Sequence, residues 1–392
     1  MTTSSSPIYC PLIQAMVNVS VPSNSSASDK VGALNLATVC LHSLVSSFGI
    51  LENLLILWVV GFRVRRTVIS VWILNLAASD LLSTASLPFF TNFLSHGDTW
   101  TLGTTFCKLH SSVFFLNMFV SAFLLAAISL DRCLVVLKPV WAQNRRNVRL
   151  VGRVCGIIWA VAILCTLPYY LFRDTIRRHD GRVMCYYNYV QYFLVREFGL
   201  RELCEARQDA LAVSKLLLAF ILPLLVIVGS YVLVNIGITR RGHSRRSFRF
   251  VRLVVAVVVS FVVCWAPYHI FSVLEAVAQY QPSLRGLVAQ GLPYAASLAF
   301  LNSVLNPILY VFSCPDLCGK IRQSLGAVLE SVLAEDLGEF SRRRSTQHSS
   351  ICASEVLLRG MRSHNNVHSL RGEDSRAEEE LEPEQEKPHP AD

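Results

Sequence analysis

Apolar residues arrive along this chain in seven long blocks between Leu36 and Val311. Each block approaches the roughly 20 residues that carry a helix across the hydrocarbon core of a bilayer. Short polar or basic stretches separate them, so the pattern predicts an all-α bundle of seven membrane-spanning helices. Few polar positions interrupt the blocks. Asn53, Asp80, Asn117, Ser121, Asn302, Ser303 and Asn306 stand at interior positions, and Pro88, Pro168, Pro223, Pro267 and Pro307 interrupt five of the spans. A proline removes one backbone hydrogen bond and permits a kink, so the bundle is expected to have movable inner halves. Trp265 beside Pro267 is a large aromatic that can repack when a ligand presses on it.

Composition agrees, since hydrophobic residues make up 53% and charged residues 16% of the 392 positions, too apolar for a water-exposed surface. The net charge of +9 would suit nucleic acid, but its distribution argues against such a partner. Arg63, Arg65 and Arg66 follow span one, Lys138 to Arg149 follow span three, and Arg240 to Arg252 follow span five. These alternate loops are cytoplasmic by the positive-inside rule, which leaves the N-terminus outside. The organisation expected is an outside tail at 1–35, the bundle at 36–313, an amphipathic membrane-surface helix at 314–333 and a disordered cytoplasmic tail at 334–392. The outside tail lacks the apolar core of a cleavable signal and carries glycosylation sequons at Asn18 and Asn24. Cys314 and Cys318 are either acylated or buried.

The second outside loop dissents from the charge rule with Arg173, Arg177, Arg178, Arg182, Arg196, Arg201 and Arg207. Two readings stand: a solvated loop balanced by its own acids, or a field that draws an anionic ligand to the mouth of the bundle. Four of twelve cysteines face outside. Cys107 opens span three and Cys185 lies mid-loop, so these pair, leaving Cys10 with Cys204 to tie the tail over the loop as a lid.

Four ionisable residues inside or at the ends of spans carry candidate chemistry. Asp80 needs compensation, because an ionised carboxylate at mid-bilayer costs about 3 kcal/mol. Asn117 and Ser121 on one face of span three, and Asn302 and Asn306 on one face of span seven, supply it, either around a small hard cation or as a hydrated network with Asp80 protonated. Lys215 lies in an apolar run above Pro223, as a snorkelling cation or a ligand counter-ion. Asp131 and Arg132 close the inner end of span three.

Taken in order, Asn53, Asp80, Arg132, Trp159, Pro223, Trp265 with Pro267, and Asn306-Pro307 with Tyr310 match one signature per span. By these the chain resembles the rhodopsin-like G-protein-coupled receptors. Thr105 to Ser112, Phe172 to Ile176 and Met184 to Asn188 resemble the chemoattractant branch of that family, over about Cys10 to Leu333. The resemblance implies a plasma-membrane receptor, not an enzyme, for prostaglandin D2 or a related anionic lipid. It would signal through an inhibitory heterotrimeric G protein to lower cyclic AMP and promote chemotaxis of immune cells. It implies a ligand carboxylate on Lys215, joined by Arg173, Tyr187 and Tyr186, in a pocket lined by His110, Phe114, Phe115, Tyr268, Glu275 and Phe300. A sodium ion near Asp80 within an activation network including Trp265 and Ser303, G-protein coupling at Asp131, Arg132 and Tyr310, and arrestin and receptor kinases on the tail belong to the same expectation.

Two departures qualify it. Cys133 replaces the tyrosine usual after the Asp-Arg pair, and Leu287 to Ser313 lacks the span-seven arginine of most prostanoid receptors, favouring the chemoattractant branch. The missing span-seven lysine excludes a retinal Schiff base. An odd span number weighs against a transporter, and no His-Glu-x-x-His motif suggests a hydrolase. A receptor for another anionic lipid or a chemoattractant peptide is the alternative.

Overall fold

The computed structural model describes residues 9–18, 25–192, 199–239 and 245–313, with positions 319 and 323. Asn24, Arg196, Cys314, Cys318, the expected surface helix and the tail from 334 lie outside the described residues, as does the side chain of Tyr310. Among the described residues seven helices are long and apolar enough to cross a membrane: Leu36–Arg63, Val68–Ser95, Gly103–Leu137, Val148–Phe172, Leu200–Gly237, Val258–Val277 and Pro282–Leu309, called spans one to seven. The chain is thus a multi-pass membrane protein. Large apolar side chains such as Ile157, Leu164 and Leu225 are exposed, while Asn53, Asp80, Ser121 and Ser303 are sealed inside.

Local chemistry sets the span ends. Thr67 caps span two in a reciprocal pair with Ser70, and the Asn147 side chain accepts from the Leu150 amide to start span four. Such caps are worth about 1 kcal/mol each. Span three runs 35 residues, which at about 1.5 Å per residue exceeds the bilayer core. Two boundaries differ from expectation. The helix that carries span one begins at Ser25, well inside the stretch assigned to the tail. Span five begins at Leu200, so Arg201 and Arg207 belong to a helix and not to the loop. Hydropathy marks where lipid ends, whereas a helix continues until its backbone hydrogen bonding is broken.

Prolines act differently from span to span. Above Pro223 the helix widens into a π turn over Lys215–Ile221, where the Leu222 amide reaches back to Leu217. That extra residue accommodates the ring without a break in the span. Pro307 cannot donate to the Ser303 carbonyl, and the Asn53 side chain does so instead at 3.1 Å, pinning span one to span seven. Gly49 brings span one against span two, since a Cβ there would overlap the Thr84 methyl.

The mouth of the bundle, the end carrying the N-terminal residues, is covered by two layers. Strands β1 (Arg173–Arg177) and β2 (Val183–Tyr187) form an antiparallel hairpin in which Arg173 faces Tyr187 and Thr175 faces Cys185. Gly181, with φ of 86°, makes its turn. The Cys107–Cys185 disulfide holds the hairpin to span three, and Trp100 donates its amide to Val183 at 2.8 Å. Over this lies a short helix, Pro11–Val17, burying Leu12, Ile13 and Val17 and joined to span five by the Cys10–Cys204 disulfide. Both expected disulfides are present.

Most of the mouth's arginines are engaged locally. Arg178 and Arg182 meet Asp180, Arg201 meets Glu205, and Arg207 donates to the carbonyls of Tyr189 and Gln191 while lying over Phe172. Arg173 differs in facing inward.

Candidate functional site

Beneath this cover lies a cavity of about 200 Å³. Lys215 reaches it from the first residue of the π turn and is only 3% exposed. Its ammonium stands 5.5 Å from the ring centre of Phe115, 5.6 Å from Tyr268, 5.7 Å from Tyr169 and 6.0 Å from Tyr187. Four π faces partly replace lost hydration. Among the described residues no carboxylate lies within 4.0 Å of its Nζ. Snorkelling does not describe this side chain, which points into the bundle.

Arg173 approaches from the start of β1. Its Nε donates to Ser111 Oγ at 2.7 Å, and its guanidinium lies 4.6 Å over the Tyr187 ring. Burial pushes the Tyr187 hydroxyl well above the ordinary phenol range, with Arg173 opposing, so it remains a neutral donor. That hydroxyl has no hydrogen-bond partner among the described residues. Tyr186, raised first by burial and then by Glu275, donates its hydroxyl to the Glu275 carboxylate. Gln208 of span five donates to the Glu275 carbonyl at 3.1 Å, so span five and the hairpin both hold the outer turn of span six.

All ten residues expected of a ligand pocket, Lys215, Arg173, Tyr187, Tyr186, His110, Phe114, Phe115, Tyr268, Glu275 and Phe300, line this one cavity. Sequence reasoning missed Phe90, Phe93, Trp100, Ser111, Leu292, Pro293 and Ala296, which also line it. The spacing of Leu292 and Ala296 ahead of Phe300, four residues apart on one helix face, was the available signal.

The floor of the cavity leads to the polar middle of the bundle. Phe114 packs 5.1 Å from Tyr268, 5.3 Å from Phe300 and 6.0 Å from Trp265. Trp265 is 1% exposed and its indole N–H has no partner among the described residues. At the next level Asn306 donates to Asp80 at 2.9 Å, and Asn117 at 3.2 Å, while Asn117 also reaches Ser79 and Ser121. Ser121 lies at 3.5 Å from the same carboxylate. Asn302, buried and four residues before Asn306, has both side-chain amide atoms unpartnered among the described residues.

A model of the seven-transmembrane receptors of the rhodopsin family matches residues 52–310. The chain belongs to that family. Prostaglandin D2 receptor 2 of Mus musculus is 56% identical over 353 residues, covering 89% of this chain and 91% of the relative. The protein of the same name in Rattus norvegicus is 57% identical over 328 residues, 83% of this chain and 79% of the relative. Chemerin-like receptor 1 of Homo sapiens is 34% identical over 308 residues, 77% and 81% of the two chains.

At the end of the receptor opposite the cavity, Arg146 from the short helix Pro139–Arg145 and its C-cap grips Asp131 with two hydrogen bonds of 2.7 and 2.8 Å. Arg132 is half-buried beside it. Cys133, standing where the family usually has tyrosine, is buried, 5% exposed, as a small packing residue. Asp131 and Arg132 thus sit at the end of span three, and the Tyr310 backbone lies in the helix Asn302–Ser313.

Proposed function

We propose that this receptor binds prostaglandin D2 at the extracellular mouth of the bundle, in the plasma membrane, and activates an inhibitory heterotrimeric G protein. Lower cyclic AMP and chemotaxis of immune cells follow. The observation that carries the ligand reading is Lys215: a buried cation inside four aromatic rings with no carboxylate of the described residues within 4.0 Å of its ammonium. Leaving a charge so costs several kcal/mol, and a ligand carboxylate offsets it. Arg173 adds a charge-assisted donor and Tyr187 an unused hydroxyl. The aromatic walls fit a fatty-acid-derived chain. The small cavity under a double cover favours such a lipid over a chemoattractant peptide.

The signal passes by population shift. A ligand resting on Phe114 changes its packing against Trp265, and the proline-softened inner half of span six moves to admit the G protein near Asp131, Arg132 and Tyr310. Asp80, Asn117, Ser121, Asn302, Ser303 and Asn306 would hold a sodium ion, and the unpartnered Asn302 amide among oxygen donors fits that role. The ion would neutralise the buried carboxylate and favour the resting state. Serines of the tail would take phosphate from receptor kinases and recruit arrestin, and Asn18 and Asn24 would carry glycans. Saturation binding of tritiated prostaglandin D2 to membranes bearing the native chain tests the ligand. Saturable displacement by the unlabelled lipid is expected, and its absence refutes the reading.

A further inference from the structure

The cavity is charged on one side and apolar on the other. Lys215 and Arg173 stand on the side built by span five and the hairpin, with Glu275 of span six held by Tyr186. Two cations and one carboxylate leave a single excess positive charge, the complement of one ligand carboxylate. Spans two and seven close the opposite side with Phe90, Phe93, Leu292, Pro293, Ala296 and Phe300, none of which carries a charge or a side-chain donor. Between the two sides stands His110, its ring 6.1 Å from Phe90 and 5.7 Å from Trp100.

We infer that this cavity selects by carboxylate count: it accepts a monoacid whose tail ends in a methyl group and excludes the diacid of the same skeleton. The inference rests on the lipid reading above and narrows its ligand class. With one carboxylate at Lys215 and Arg173, the remainder of the ligand extends across to the walls of spans two and seven. A carboxylate at the far terminus loses its hydration there and meets walls that are apolar but for the rings of His110 and Trp100, the Trp100 N–H being already given to the Gly103 carbonyl, at a cost of several kcal/mol. Turning the ligand around strands the other carboxylate in the same place. A terminal hydroxyl is neutral and costs less.

The test is competition against tritiated prostaglandin D2 on membranes bearing the full chain. The competitors are prostaglandin D2 and two derivatives in which the terminal methyl becomes hydroxymethyl or carboxyl. The diacid is expected to bind at least about 100-fold more weakly than the parent, with the alcohol between them. Leu292→Lys, which places a cation on the apolar side, is expected to improve the diacid relative to the monoacid by about tenfold or more. Steric exclusion of a longer tail would not respond so. Native binding of monoacid and diacid within about threefold overturns the inference, as does a Leu292→Lys variant that binds the parent yet shifts both acids equally. Absence of specific prostaglandin D2 binding overturns the lipid reading, and this inference with it.

Discussion

Phe114 and Trp265 stand 6.0 Å apart between ring centres, the one lining the cavity and the other buried two residues before Pro267. Among the described residues this contact joins a cavity-lining ring to Trp265 more closely than Tyr268 does at 6.3 Å, and the proposed motion of span six begins here. Phe114→Leu keeps the volume nearly filled while removing the ring faces. It is expected to lower the maximal G-protein response by at least half at saturating agonist, with a smaller change in agonist affinity. Nucleotide exchange on the G protein, beside a binding isotherm, reads both.

At the other end, Asp131 and Arg146 form a bidentate pair only partly open to water, with side-chain exposures of 11% and 20%. A hydrogen bond to a charged group contributes about 1.5–3 kcal/mol, less where water screens it. Breaking it releases the inner end of span three. Asp131→Asn is expected to raise agonist-independent nucleotide exchange several-fold, while unchanged basal exchange would show that the pair does not restrain the resting state.

The seven spans were legible because a bilayer imposes one simple rule, about 20 apolar residues per crossing. The pocket residues were legible through resemblance, not chemistry, since Phe114 or Tyr268 alone reads as ordinary packing. The widened turn at Lys215 was not legible. Its backbone reaches from Leu222 to Leu217 to make room for Pro223, a tertiary choice among kink, bulge and break that the proline alone leaves open. Nor was the substitute donor at Ser303, because Asn53 lies 250 residues away in sequence. The cover helix Pro11–Val17 escaped for a different reason: seven residues are too few for a periodic signal, and its burial depends on the hairpin beneath.

That cover is held to span five by Cys10 and Cys204. Replacing both by serine is expected to destabilise the mouth by about 2–4 kcal/mol and to speed ligand release. A thermal melt of the detergent-solubilised receptor and a dissociation time course check the two effects separately. Unaltered release would mean the helix does not confine the ligand.

The polar centre around Asp80 predicts a cation effect. Agonist affinity of the native receptor is expected to be lower in sodium chloride than in choline chloride at equal ionic strength. In Asp80→Asn, which loses the carboxylate but keeps the shape, the two salts should give the same affinity. A sodium effect of undiminished size in that variant would remove the ion from Asp80.

On the proposed reading Lys215 anchors an anionic lipid whose binding drives signalling. Prostaglandin D2-dependent suppression of cyclic AMP, measured side by side in cells expressing the native chain and Lys215→Ala at matched surface levels, addresses it directly. Truncating one partner of a buried charge pair costs about 2–5 kcal/mol, so the account predicts a potency loss of roughly 30-fold or more in the variant. Equal potency in the two, or no response from the native chain, would contradict it.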